Sequence, residues 1–85
     1  MDEFVVYVMR SEVSGKRYVG YTGNLIARIR SHNQLSSKGW TINHRPWHVI
    51  YVEFFTSKQR AMTRERYFKT GVGREYLDEM DYNNG

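Results

Sequence analysis

Tyr7, Tyr18, Arg28, His32 and Glu65 are the side chains of this 85-residue sequence whose types and spacing suit acid–base work beside a bound anion. Arg28 and His32 stand four residues apart, so on a helix they share one edge. A guanidinium stays charged at any working pH, and its planar fork matches two phosphate oxygens. An imidazole, with an unperturbed pKa of ~6.5, takes or gives a proton near neutrality. A phenol ionises near ~10, so either tyrosine serves as a base only with cations close by. Glu65 falls among Ala61, Met62 and Phe68 on the inward face of a helix. An ionised carboxylate there needs a cation against it, either an arginine or a metal ion. Plainer readings exist for each: a part-exposed Glu65 paired with Arg64 or Arg66, a solvated Arg28, a helix-edge His32, and two ordinary sheet tyrosines.

A β-hairpin and two helices would have to position these groups. Phe4 to Arg10 (FVVYVMR) and Arg17 to Thr22 (RYVGYT) are β-branched and aromatic, joined by the polar loop SEVSGK, which predicts two antiparallel strands. Pairing Arg10 with Arg17 sets Tyr7 opposite Gly20 and diagonal to Tyr18, with the glycine leaving space between two phenols on one face. Asn24 is the expected N-cap of a helix from Leu25 to about Asn33, with Leu25 and Ile29 inward and Arg28 and His32 at the core's border. The polar stretch NQLSSKGWTINHRPW predicts a long surface loop. His48 to Phe55, apolar on both faces, reads as the third and central strand. Thr56 opens T-S-K-Q, a capping box with Gln59, and a helix to about Thr70. Gly71 and Gly73 are expected to break it before one short helix, REYLDEM. The fold class expected is thus α+β, a three-stranded antiparallel sheet flanked by helices in the order β-β-α-β-α-α. It forms one domain over residues 1–80, with a frayed tail at 81–85.

Length and composition bound the function. A chain of this size hides only about 60 to 65 % of the surface its unfolded form exposes, so buried polar groups are costly and need a reason. The absence of cysteine suits a reducing compartment. No apolar run reaches the roughly 18 residues of a membrane span, and the acidic start MDEFVVYVMR does not suit a signal peptide, so a soluble, cytoplasmic protein without membrane partners is expected. The net charge of +4 conceals an asymmetry: all 13 Lys and Arg lie in residues 10–74, against Glu12, Glu53 and Glu65, which makes that body +10. Such a field attracts phosphate polymers. Lys38, Trp40, His44, Arg45 and Trp47 add charge and rings that suit contact with a backbone and stacking on bases, although Trp47 is better read as an anchor of the third strand.

In their order, VVYVMRS, RYVGYTGNLIARIRSH, RPWHVIYVEFF and AMTRERYFK resemble the GIY-YIG nuclease domain, in its small standalone bacterial branch. The resemblance runs from about Phe4 to Leu77. Tyr7 matches the tyrosine of the first motif, Tyr18-Val19-Gly20 the second, Arg28 and His32 the helix-borne pair, and Glu65 the metal-binding glutamate. There are departures: Val5-Val6-Tyr7 lacks the first motif's glycine, Tyr21 stands where many relatives have lysine, and a late asparagine has no secure counterpart, since Asn83 and Asn84 fall in the tail.

The resemblance implies an endonuclease hydrolysing DNA phosphodiesters with one divalent ion, Mg2+ or Mn2+, on Glu65. Arg28 would clamp the phosphate, Tyr18 or His32 would take the water's proton, and Tyr7 would orient the water or the phosphate. The ends left would be 5′-phosphate and 3′-hydroxyl, and structure-selective repair or recombination is the setting implied. Lys16, Arg17, Tyr21, Arg30, Lys38, Trp40, Arg45, Arg64 and Lys69 are the expected nucleic-acid contacts, with RNA as well as DNA left open as substrate. Two other readings compete: a nucleic-acid-binding module that does not cut, and a domain that joins a protein partner through the acidic Glu75, Asp78 and Glu79. A weak homodimer would bring two sites to bear, one for each strand.

Overall fold

The structure, a computed structural model, describes residues 3–35 and 39–84. Two strands open the chain, β1 (Phe4–Ser11) and β2 (Arg17–Thr22), followed by α1 (Leu25–Arg30), a π-helical turn over Ser31–Leu35 and a 3-10 turn over Trp40–His44. Strand β3 (Trp47–Phe55) and helices α2 (Lys58–Phe68) and α3 (Gly71–Asn84) complete it. The three strands form one antiparallel sheet in the order β2-β1-β3. This is the α+β class and element order expected, with the hairpin in the expected register: Arg10 opposes Arg17 and Tyr7 opposes Gly20.

The centre of the sheet is β1, not β3. Val5 to Met9 are all buried, with Val6 and Val8 in one core cluster alongside Val19, Ala61, Phe68 and Leu77, and Tyr7 and Met9 in another with Trp47. Strand β3 is apolar on both faces as well, but it runs along an edge and leaves Phe54 66 % exposed. Two strands carried the same two-sided pattern, and the crossing of α1 and its following loop decided which one the other two flank.

Asn24 caps α1 as expected, its Oδ1 accepting from the Ala27 N–H at 3.1 Å. Leu25 and Ile29 pack against the Tyr7 cluster. At α2 the cap is Ser57, not Thr56: its Oγ accepts from Arg60 N–H at 3.3 Å, which puts Arg60 rather than Gln59 at the third position and dissolves the capping box. Helix α2 ends at Phe68, close to the break expected, but Gly71 and Gly73 lie in the first turn of α3 rather than in the break. A methyl at Gly73 would lie 2.0 Å from the Tyr67 carbonyl oxygen, so the bare backbone there lets α3 pack against the end of α2. Between them Thr70 Oγ1 donates to Tyr67 O at 2.6 Å and accepts from Gly73 N–H at 3.1 Å.

Helix α3 continues through Asn84 where a frayed tail from residue 81 was expected. Its acidic side chains explain the extension: Asp81 binds Arg10 at 2.6 Å and Arg17 at 3.6 Å, and Asp78 binds Arg17 at 2.5 Å, fastening the helix across the hairpin.

Candidate active site

The hairpin and α1 bring Tyr7, Tyr18, Arg28 and His32 together. The Tyr7 ring is fully buried, and a methyl at Gly20 would sit 2.5 Å from its hydroxyl and 3.1 Å from Tyr18 Cε1, so the glycine is what admits the two phenols side by side. Their ring centroids are 6.3 Å apart, and the His32 ring lies 6.0 Å from Tyr7 and 4.9 Å from Tyr18. Tyr7 Oη and His32 Nε2 form a hydrogen bond of 3.0 Å. Arg28 turns its guanidinium toward both phenols, and its hydrogen bonding to Tyr7 raises its already high pKa. Tyr18 is half-buried and so is the phenol nearer solvent.

Electrostatics divide the roles of these groups. Burial pushes the Tyr7 phenol up to about 12, with Arg28 pulling it back while Tyr18 and the Glu65 carboxylate push it further. His32 moves the other way: burial first, then the cations Arg28 and Arg45, lower its pKa from the ordinary value and keep the ring neutral.

Glu65 is neither in bulk solvent nor paired with Arg64 or Arg66. Its side chain is 18 % exposed, and Oε1 meets Lys69 Nζ at 3.3 Å one helical turn on. Arg64 belongs to Glu53 instead, through Nε to Oε1 at 2.7 Å and Nη2 to Oε2 at 3.0 Å, and its guanidinium lies over the rings of Phe68 and Tyr67 at 4.5 and 4.8 Å. The hydroxyl of Tyr51 also donates to that carboxylate. Burial raises the Glu53 pKa, but the bonds from Arg64 and Tyr51 outweigh it and hold the carboxyl below its ordinary value.

Among the described residues no group of three or more His, Cys, Asp and Glu side chains gathers as a metal cage. Glu65, a single part-buried carboxylate with Lys69 Nζ at one oxygen, is the kind of ligand a hard ion such as Mg2+ takes, since that ion keeps most of its waters and commonly binds one or two protein carboxylates together with substrate phosphate.

The residues expected to meet nucleic acid separate into several groups. Lys16, Arg17, Trp40 and Lys69, joined by Tyr18 and Arg74, line a groove of about 770 Å³. Trp40 is 46 % exposed there, its ring 4.3 Å from His44 and 6.0 Å from Lys16 Nζ. Arg30 is exposed on α1, whereas Tyr21 packs partly against the core. Arg64 is committed to Glu53, and Arg45 grips the main chain of the π-turn, with Nε to His32 O at 2.5 Å and Nη2 to Ser31 O at 3.3 Å. Lys38 lies outside the described residues.

Sequence reasoning missed the supports of His32. Thr41 Oγ1 lies 3.2 Å from His32 Nδ1. Asn33 pairs with both main-chain groups of Trp47, at 2.7 and 3.1 Å, and the Trp47 indole donates to Thr41 O at 2.8 Å. No spacing signal pointed to Thr41, since it reaches its partner from within the polar loop. Trp47 itself is the buried anchor expected.

The family model for the GIY-YIG catalytic domain matches residues 3–81, and the chain belongs to that family. It is similar to UPF0213 proteins of Staphylococcus: 39 % identical over 70 residues to one from S. haemolyticus and 34 % over 70 residues to one from S. aureus. Each alignment covers 82 % of this chain and 84 % of the relative. The solution NMR structure of a UPF0213 protein from Bacillus halodurans matches with a TM-score of 0.56 at 26 % identity, over 92 % of this chain and 84 % of that one. No helix among the described residues is long and apolar enough to cross a membrane.

Proposed function

We propose that this protein is a metal-dependent endonuclease that hydrolyses DNA phosphodiester bonds. The observation that carries the reading is the convergence of two phenols, a guanidinium and a neutral imidazole around the Tyr7 hydroxyl, with Glu65 close enough to raise the same phenol. A purely structural cluster has no need of a cation facing two phenols in a domain with so little core to spare.

Glu65 is the residue that would hold Mg2+ or Mn2+, and the ion, when bound, would neutralise charge on the phosphate oxygens. Arg28 grips the phosphate through its fork and opposes the charge that builds up on its oxygens. Tyr18, on the solvent side of Tyr7, takes the proton of the attacking water once it is itself a phenolate held against Arg28, and the departing 3′ oxygen takes its proton from solvent. Tyr7 and His32 form a hydrogen-bonded pair behind it that fixes the phenols and accepts charge redistribution. The strand lies along the groove, its phosphates against Lys16, Lys69 and Arg74 and one base against Trp40. The ends left are 5′-phosphate and 3′-hydroxyl, as in structure-selective repair or recombination.

The test is nicking of supercoiled DNA with Mg2+ by wild type, Glu65→Ala and Arg28→Ala. Wild type should nick, and each variant should lose activity by at least ~10²-fold while still binding DNA. A wild-type protein that binds DNA yet leaves it intact under several divalent ions would replace the nuclease with a binding module of the same fold.

A further inference from the structure

The buried chain behind the phenols ends on a hydroxyl that the proposed chemistry does not yet use. Tyr7 keeps its proton at neutral pH, and that proton needs an acceptor. Arg28, on one side, carries donors only. His32 Nε2, at 3.0 Å, is the acceptor available. A neutral imidazole has a single N–H, so if Nε2 accepts, the hydrogen must be on Nδ1, and the atom facing Nδ1 is Thr41 Oγ1 at 3.2 Å.

We infer that Thr41 is a positioning residue: its hydroxyl accepts the Nδ1–H of His32 and so keeps Nε2 bare and turned to the Tyr7 hydroxyl. The charged and titratable groups around the ring agree with this arrangement. Arg28 from α1 and Arg45 from the segment before β3 are cations that disfavour a second proton, while Tyr7 and Tyr18 face the ring from the hairpin. Thr41 is 7 % exposed, and its carbonyl accepts from the Trp47 indole, so its backbone is held in place independently of its hydroxyl. A hydrocarbon at this position would leave Nδ1–H without an acceptor in a buried site, and the ring would answer by moving its proton to Nε2. Two donors, Nε2–H and Arg28, would then face the Tyr7 oxygen, and the phenol would have to turn its own hydrogen elsewhere.

The catalytic consequence rests on the nuclease reading, but the tautomer does not. Long-range proton–nitrogen NMR of 15N-labelled protein distinguishes a protonated from a bare ring nitrogen. Wild type and Thr41→Ser should show His32 with Nδ1 protonated and Nε2 bare, and Thr41→Val should shift the ring toward Nε2–H. In the nicking assay Thr41→Val should lose about 10- to 100-fold in kcat with KM little changed, and Thr41→Ser should restore the rate. A wild-type ring protonated at Nε2 overturns the inference, as does a folded Thr41→Val that keeps the wild-type tautomer and rate. Should Thr41→Val fail to fold by circular dichroism, the wild-type and Thr41→Ser spectra decide the matter. A protein with the Nδ1–H tautomer that cuts nothing leaves Thr41 in its place and removes the nuclease instead.

Discussion

Replacing Gly20 by alanine tests the geometry on which the site depends. The added methyl would lie 2.5 Å from Tyr7 Oη and 2.7 Å from Tyr7 Cζ, whereas ordinary contact begins at 3.4 Å, so the phenol must retreat by about 0.9 Å. It has nowhere easy to go: Tyr7 is fully buried in the central strand, and its hydroxyl is bonded to His32. Overpacking of this kind costs about 1–3 kcal/mol. Alanine recovers about 0.5–1 kcal/mol of that through its lower backbone entropy in the unfolded chain. The difference is a net loss of up to about 2.5 kcal/mol, and about 1 kcal/mol at mid-range, which for a domain this small lowers Tm by roughly 4–8 °C. Displacing the phenol toward His32 should also cut nicking by about 10²-fold. Thermal melting by circular dichroism, with the His32 ring nitrogens followed by NMR, measures both parts. If Gly20→Ala melts with the wild type and leaves the His32 nitrogen shifts unmoved, the close apposition of the phenols across Gly20 is wrong.

The two glycines of α3 should part company: Gly73→Ala, whose methyl meets the Tyr67 carbonyl at 2.0 Å, should lower the urea midpoint sharply, while Gly71→Ala, with nothing within 4 Å, should hold or raise it. Removing Arg64 leaves Glu53 part-buried without its bidentate partner, so Arg64→Ala should cost about 2 kcal/mol in urea unfolding yet leave the salt dependence of DNA binding unchanged. Lys69→Ala should do the reverse, lowering the slope of log K against log salt by about one with little change in stability. Because the folded pKa of His32 lies below its unfolded value of ~6.5, the unfolded chain binds the proton more tightly and stability falls as pH drops below about 6.5. Tm should therefore decline between about pH 7.5 and 5.5, and His32→Gln should flatten that slope.

What the sequence made legible was whatever a short window determines. The SEVSGK turn and the alternation around it sufficed to pair Arg10 with Arg17, and that register alone put both phenols on one face over Gly20. Asn24, four residues before Arg28, fixed the start of α1 and hence the edge that carries Arg28 and His32. Where two neighbouring windows offered the same signal, sequence could not choose between them. Thr56 and Ser57 are adjacent hydroxyls, and it is Ser57 that becomes the cap. VVYVM and HVIYVEFF both carry apolar side chains on two faces, and the centre of the sheet depends on a crossing some 25 residues long that has no local signature. Thr41 and Arg45 are harder still, because they serve His32 by contacts across the loop that look, in the sequence, like a polar stretch and a basic one.

The smallness of the domain explains why site and core cannot be separated. Tyr7 belongs to the Tyr7–Met9–Trp47 cluster and to the candidate site at once, and His32 and Thr41 are buried polar groups in a chain that hides little surface. Such groups are tolerated only when each finds a partner, since an orphaned one costs about 1–3 kcal/mol. Among the described residues no buried side-chain nitrogen or oxygen lacks a hydrogen bond. The chain Tyr7–His32–Thr41 is closed at its far end by the Thr41 hydroxyl, and the loop carrying Thr41 is closed by the Trp47 indole and Asn33. On its solvent side the cluster presents the exposed Arg28 and the half-buried Tyr18, with Glu65 Oε1 against Lys69 Nζ at 3.3 Å. That arrangement supports the proposed reading, in which a phosphate and its metal ion would meet Arg28 and Glu65 from the solvent side.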